Sequence, residues 1–215
     1  VFETVNGYYE GDGQAAFFEI SLLYPQSSYP PAYSEHPVYP LQESPRQTII
    51  LIPAFGTSDM QGAIRDNGEC LSWLLQQHQQ GTEIASFCTG AFLLAATGLL
   101  DKKPATTHIH AAMAFAKAFP QVLLKSSEIT TFQQGIYTGG GATNSFHLML
   151  RVLEKYCGYD MALRVAKYFA IDMDREQQAY FGTFQPVLNH KDELVSALQH
   201  RIKSRFQEAG TIEEL

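Results

Sequence analysis

Hydrophobic positions change their period several times along the chain. Thr48–Ile52 is an apolar run behind one threonine, closed by Pro53, the pattern of a strand buried on both faces. Leu71, Leu74 and Leu75 then recur at helical spacing, with His78 next on that face, which predicts an amphipathic helix over Asn67–Gln79. Thr82–Phe87 reads as the next strand, so the three elements form a parallel, right-handed βαβ unit. Ala91–Leu100 has little polar surface and predicts a buried helix, with Gly98 near its end. Ala111–Phe119 predicts another helix, stopped by Pro120, and Val122–Leu124, Ile129–Phe132 and Gly135–Thr138 predict short strands. Phe146, Met149, Leu150 and Leu153 share one face of a long helix that Thr143 is placed to cap and Gly158 to close. Asp160 is placed to cap a second, Met161–Phe169. Upstream, a helix-like segment starts the chain and Ala16–Tyr24 predicts a strand. The Pro-, Ser- and Tyr-rich connection Pro25–Arg46 is long enough to hold short edge strands. This alternation is that of an α/β fold with a mainly parallel sheet.

The pattern shifts after Pro186. Leu194, Leu198, Ile202 and Phe206 mark an amphipathic helix over Asp192–Gln207, with Arg201, Lys203 and Arg205 suiting its C-terminal end. Thr211 and Glu214 then form a capping box, the opening of a further helix. Two parts are therefore expected, residues 1–188 and residues 189–215.

Composition narrows the function classes. At 215 residues the chain can bury a core without disulfides or structural metal. Its 15 basic and 22 acidic side chains, net −7, exclude the cationic footprint of a nucleic-acid surface, so any contact with DNA is expected from residues outside it. Cys70, Cys88 and Cys157 contain no CxxC pair, which points to a reducing, cytoplasmic setting. The longest apolar stretch, Ala91–Leu100, is too short to span a bilayer, and no leader pattern opens the chain, so no membrane partner is expected. The first residue is Val1, not Met, and further chain is expected upstream of it.

Chemistry concentrates in the strand-to-helix connections. Ser86-Phe87-Cys88-Thr89-Gly90 has the small-x-nucleophile-x-small form of a nucleophile elbow, with cysteine in the reactive slot. Small flanking residues permit the tight turn, and a following helix N-terminus lowers a thiol's pKa and aims N–H groups at an oxyanion. His108 or His110 is placed to take the thiol proton. An H-x-H pair also suits a metal, but no third and fourth ligands stand in the right setting, so no metal is expected. Gly139, Gly140 and Gly141 with Thr143 stand between a strand and the long helix, where backbone can approach a ligand closely. They lack the spacing of a dinucleotide fingerprint, and no cofactor is expected. Ala54, Phe55 and Gly56 follow another strand end. Three such loops converge where open parallel sheets collect ligands, so the expected ligand set also takes in Cys88, Thr89 and His108.

The stretches IASFCTGAFLLAATGLLDKKPATTH, GIYTGGGATNSFHLMLRVLEKYCG and ALRVAKYFAIDMDREQQAYF resemble the ThiJ/PfpI, class-I-glutaminase-like superfamily, and more narrowly the N-terminal sensor domain of AraC-type transcriptional regulators. The resemblance runs from about Thr48 to Phe181. It implies a flavodoxin-like three-layer sandwich, a homodimer, and a metabolite-binding pocket floored by Cys88. It further implies a linker helix leading to a helix-turn-helix DNA-binding domain of which residues 189–215 hold only the start. In the superfamily's enzymes the cysteine works with a histidine, here matched by His108, and with an acidic residue from a first strand that is expected before Val1. Where this chain has His147 the family commonly has Asp. Three functions follow: a sensor of a small effector, amino-acid-derived or quaternary-amine-like by analogy with relatives; a cysteine-dependent hydrolase, hydratase or lyase using Cys88 and His108; or a redox sensor at Cys88. The linker and the opening of another helix favour the sensor, since an enzyme needs neither.

Overall fold

The computed structural model describes residues 1–26, 28, 35–175, 177–178 and 192–204. Contacts divide the chain into Val1–Phe181 and Gly182–Leu215. In the first unit, β3 (Ile49–Ile52), β4 (Glu83–Phe87), β7 (Thr130–Gln133) and β8 (Ile136–Gly139) form a sheet in the order β3-β4-β8-β7. The first two pairings are parallel, and β7–β8 is an antiparallel hairpin. Its turn, Gln134-Gly135, has both residues at positive φ (51° and 76°), the twist a two-residue hairpin needs.

Residue alternation along the central strand decides the layers. Ile84 joins a core with Trp73 and Leu74 of α3 (Gly68–Gln79), with Phe92 and Leu94 of α4 (Gly90–Ala96), and with Phe115 of α5 (Ala112–Ala118). Ala85, pointing the other way, packs with Tyr137 and with Leu148 and Val152 of α6 (Asn144–Cys157). Both residues are fully buried, so β4 is covered on both faces. A third cluster sits outside α6, where Leu150 and Leu153 meet Ala162 and Val165 of α7 (Tyr159–Tyr168) and Val5 of α1 (Phe2–Gly11). Helices on both faces of a mainly parallel sheet make this a flavodoxin-like three-layer α/β fold.

Several elements differ from the hydrophobic pattern. In β3 only Ile50 and Ile52 are buried. Ile49 and Leu51 are half-buried because β3 is an edge strand whose flank opens on a cavity of about 420 Å³. The expected strand Ala16–Tyr24 shrinks to β1 (Leu22–Tyr24), paired in parallel with β2 (Val38–Pro40). Upstream of it the Asn6 amide takes both backbone groups of Phe18, accepting from its N–H at 2.7 Å and donating to its carbonyl at 2.8 Å. An unforeseen helix, α2 (Met60–Asp66), is capped by Asp59, whose Oδ1 accepts from Gly62 N–H at 2.8 Å.

The cap assignments also change. Thr143 holds the position before α6, but its hydroxyl makes no capping bond. The N–H groups of Asn144, Ser145 and Phe146 already donate to the carbonyls of Gly141, Ala142 and Thr143. Gly158, at φ 82°, separates α6 from α7, so Asp160 lies inside the first turn of α7 rather than capping it. In the second unit, α8 (Glu193–Ser204) is capped by Asp192, whose Oδ1 accepts from the N–H groups of Leu194 and Val195 at 3.0 and 3.1 Å. Leu194, Val195 and Leu198 are exposed on it. Residues 205–207 of the expected helix and the Thr211–Glu214 box lie outside the described residues.

Candidate functional site

Cys88 leaves β4 at φ 54°, a left-handed conformation that costs a residue with a β-carbon about 1–3 kcal/mol. Two bonds hold it there: its N–H donates to the Gly139 carbonyl at 2.9 Å, and its carbonyl accepts from the Thr107 hydroxyl at 2.8 Å. The thiol is free and half-buried. Two residues on, Gly90 opens α4, and a β-carbon there would lie 2.7 and 2.8 Å from the carbonyl oxygens of Pro53 and Ile52. A small residue is thus demanded on that side of the turn by the end of β3 pressing against it. Thr89 completes the joint. Its hydroxyl donates to the Phe55 carbonyl at 2.6 Å and accepts from the Phe55 N–H at 3.0 Å. Ala54 and Gly56 are exposed and Phe55 half-buried. The N–H groups of Cys88 and Phe55 are therefore both engaged in holding the turn.

His108 stands half-buried between β5 (Pro104–Ala105) and a single 3₁₀ turn, Ile109–Ala111. Its Nδ1 accepts from the His110 N–H at 3.2 Å, and the two imidazoles lie 5.3 Å apart. The His108 ring rests on Gly141, where a β-carbon would lie 2.7 Å from its Cγ. The other glycines are filled in the same way. A β-carbon on Gly139 would meet Leu148 at 2.9 Å, and one on Gly140 would meet the Asn144 amide at 2.7 Å. All three glycines are buried, and a side chain lies close against each of them. Thr143 is exposed. The fold thus ties the loops carrying Phe55, Cys88–Thr89, Thr107–His108 and Gly139–Gly141 together. Thr143 faces outward.

Beneath these loops runs a polar network that the sequence did not single out. Gln178, 1% exposed, donates through Nε2 to the Thr106 hydroxyl (2.9 Å) and to the carbonyls of Thr107 (3.0 Å) and Ser126 (2.8 Å). Its Oε1 accepts from Asn144 Nδ2 at 3.0 Å, and Asn144 Oδ1 accepts from Arg175 Nη2 at 2.7 Å. The Thr106 N–H donates to the Thr138 hydroxyl at 2.7 Å, itself 2.6 Å from that of Thr131. Against this, the buried Ser86 hydroxyl, two residues before Cys88, has no hydrogen-bond partner among the described residues. A lone glutamine beyond the last helix of the unit carries no periodicity or spacing signal.

Residues 43–155, more than half of the chain, match the DJ-1/PfpI family. The chain belongs to the DJ-1/PfpI family. Over 137 residues this DJ-1/PfpI chain is 27% identical to the HTH-type transcriptional regulator GbdR of Pseudomonas aeruginosa, a match covering 60% of the chain and 37% of the regulator. It therefore spans little more than a third of that regulator's length. It is 28% identical over 127 residues to the isonitrile hydratase of Pseudomonas putida, covering 59% of the chain and 53% of the enzyme. The crystal structure of a ThiJ/PfpI family protein from Pseudomonas syringae superposes with a TM-score of 0.59 at 18% identity, covering 96% of this chain and 81% of that one. The latter likeness establishes the fold.

In this DJ-1/PfpI domain the Cys88 turn, His108 and the glycine loop all fall within the matched residues, whereas Arg175 and Gln178 fall beyond them. The other two thiols are held protonated by their surroundings. Burial pushes Cys157 up to about 11, and burial, with the Glu69 charge adding, pushes Cys70 up. Cavities of about 510, 420 and 330 Å³ lie elsewhere on the domain, and Cys88 and His108 line none of the three. No helix among the described residues is long and apolar enough to cross a membrane.

Proposed function

We propose that this chain is the effector-sensing part of a cytoplasmic, homodimeric transcriptional regulator of AraC type. Residues 1–188 form the sensor, and residues 189–215 lead toward a DNA-binding domain outside them. The observation that carries this reading is the match to an HTH-type regulator across the Cys88-bearing domain. The net charge of −7 agrees with it, since the DNA-binding surface then belongs to the rest of the protein. A small metabolite binds beside Cys88, Thr89 and His108, with Ala54–Gly56 and Gly139–Gly141 framing the site. Its effect on DNA binding requires that it favour one of two arrangements of the sensor.

The match to isonitrile hydratase supports a second reading, a cysteine-dependent hydrolase, hydratase or lyase in which Cys88 attacks and His108 shuttles the proton. The positive φ of Cys88 suits an exposed nucleophile. The Cys88 and Phe55 N–H groups are spent on holding the turn, so the oxyanion of such chemistry would draw on other donors, such as the N–H of Thr89 that follows the nucleophile.

Iodoacetamide labelling of Cys88, with Cys70 and Cys157 replaced by serine, separates the readings when repeated across a metabolite library. Protection by one metabolite class without turnover, lost in Cys88→Ser, is the expected result. Turnover of the protecting metabolite would establish the enzyme instead. Fusing the downstream residues should confer salt-sensitive DNA binding that this chain lacks. A full-length product without DNA affinity in any ligand condition would overturn the regulator reading.

A further inference from the structure

We propose that Gln178 is a latch joining the Cys88 turn to the segment that leaves the first unit, so that occupancy beside Cys88 is felt where the chain continues toward α8. This deepens the sensing role above and rests on it for the consequence at DNA, not for the coupling itself. Gln178 lies beyond α7, four residues before Gly182, where the second unit begins. Among the described residues between α7 and Gln178 there is no helix or strand. The end of this stretch is pinned by an isolated antiparallel bridge, Glu128–Gln177, and by the Gln178 N–H, which donates to the Ser127 carbonyl at 2.8 Å. A segment with no helix or ladder of its own opens locally at less cost than the sheet it leans on.

What holds this segment down is therefore largely one side chain. A primary amide is costly to bury unless its donors and its oxygen are all met. Gln178, 1% exposed, meets them on three separate stretches of chain: Thr106 and Thr107 after β5, Ser126 before β7, and Asn144 at the start of α6. The fit is close, since a β-carbon on Gly140 would overlap the Gln178 Oε1. All but one of these partners belong to loops, so letting go of Gln178 breaks no sheet.

Thr107 carries both halves of the coupling. Its carbonyl accepts from Gln178 Nε2 at 3.0 Å, its hydroxyl donates to the Cys88 carbonyl at 2.8 Å, and the residue is fully buried. In such a dry interior solvent does not readily replace a bond that is drawn away. The Cys88 end is poised as well, because a left-handed turn at a residue with a β-carbon persists only while its surroundings hold it. A molecule that settles beside Cys88 and shifts its carbonyl strands the Thr107 hydroxyl. That favours an arrangement in which Thr107 moves and Gln178 loses an acceptor. Release of Gln178 acts on Cys88 along the same bonds in reverse, as a coupling between two sites requires.

The test needs no identified effector: iodoacetamide attached to Cys88 serves as the occupant, in protein with Cys70 and Cys157 replaced by serine. Alkylation should speed hydrogen exchange of the Gln178 backbone amide, read by NMR, about fivefold or more, while the amides of β3 and α3 keep their rates. Thr107→Val should abolish that response, and Thr107→Ser, which keeps the hydroxyl, should retain it. Gln178→Met, which keeps the bulk and removes the polar groups, should change the Cys88 labelling rate about fivefold or more. A side chain serving stability alone would instead move the urea midpoint and exchange across the whole domain together. The proposal is overturned if the Gln178 amide does not respond, if its response survives Thr107→Val or spreads evenly over the domain, or if Cys88 labelling ignores Gln178→Met. Should one of the two variants not fold, the alkylation response and the other variant still decide. In the full-length regulator Gln178→Met should shift DNA affinity about fivefold or more. Coupling that holds while DNA affinity stays unmoved leaves the latch and removes the sensing role.

Discussion

Gly90→Ala tests whether the Cys88 turn is held by the close approach of β3 to α4. The added β-carbon would lie 2.7 Å from the Pro53 oxygen, 2.8 Å from that of Ile52, and 3.2 Å from Ile52 Cγ2. Ordinary carbon–oxygen contacts begin near about 3.3 Å, so backbone must give by roughly half an ångström. The atoms in the way are carbonyls at the end of β3, where Ile52 is in register with Ser86 of β4, and no rotamer change can relieve them. Overpacking of this kind costs about 1–3 kcal/mol, while alanine recovers at most about 1 kcal/mol of helix propensity. The net loss is about 0–3 kcal/mol, or up to roughly 12 °C in melting temperature for a domain of this size, and relative to a control that gains the same propensity it is about 1–3 kcal/mol. Gly68→Ala is the matched control: it makes the same chemical change at the first residue of another helix, with nothing within 4 Å of the new carbon. It should be neutral or slightly stabilising. Urea unfolding followed by the single tryptophan, Trp73, which is buried in the same core as α4, reads both. Gly90→Ala as stable as Gly68→Ala would refute the reasoning. A destabilised Gly90→Ala should also alter Cys88 labelling, because the displaced Pro53–Phe55 segment carries the Thr89 bonds.

Ser86→Ala should leave stability unchanged or raise it by about 1–2 kcal/mol, since it removes a buried hydroxyl without a partner; a clear loss in urea midpoint would mean the hydroxyl is satisfied in solution. Stability should fall as pH rises through the alkaline range. Lys155 is pushed up mainly by its hydrogen bond to Glu83, Tyr156 and Tyr137 mainly by burial with Glu83 adding, and Cys157 by burial to about 11. All four bind protons more tightly folded than unfolded, so their contribution is present below their unfolded values, about 8.5–10.4, and lost above them. Urea midpoints between pH 8 and 11 measure the slope, and Tyr156→Phe should flatten it. At pH 8, iodoacetamide should modify Cys88 ahead of Cys157 and Cys70, whose thiolates burial suppresses; peptide mapping showing Cys157 labelled first would contradict that account.

Much of the architecture could be read along the chain because its determinants are local. The apolar period of Leu71, Leu74 and Leu75, the small residues around Cys88 and the breaks at Pro53, Pro120 and Gly158 each act within a few residues. Helices, strands and their order follow from such spacing. The pieces that went astray were those with a distant competitor. Asn6 takes the backbone of Phe18 out of its strand, and the carbonyls of residues 141–143 take the donors that Thr143 was placed to cap.

The site divides in the same way. Cys88 was legible because its motif is contiguous, and the glycines of residues 139–141 were legible as a place of close approach. What approaches them is tertiary: Leu148 and Asn144, brought there by α6, and the His108 ring, brought by the segment after β5. The bonds from Phe55 to Thr89, Gly139 to Cys88 and Thr107 to Cys88 span 19 to 51 residues of sequence, and Gln178 lies 71 residues from the Thr107 carbonyl it holds. Local sequence determines which backbone conformations a segment can adopt. Which polar groups end up facing one another, and so which are spent on holding the fold and which remain for a ligand, is decided only when distant segments share a dry interior where every donor must find an acceptor.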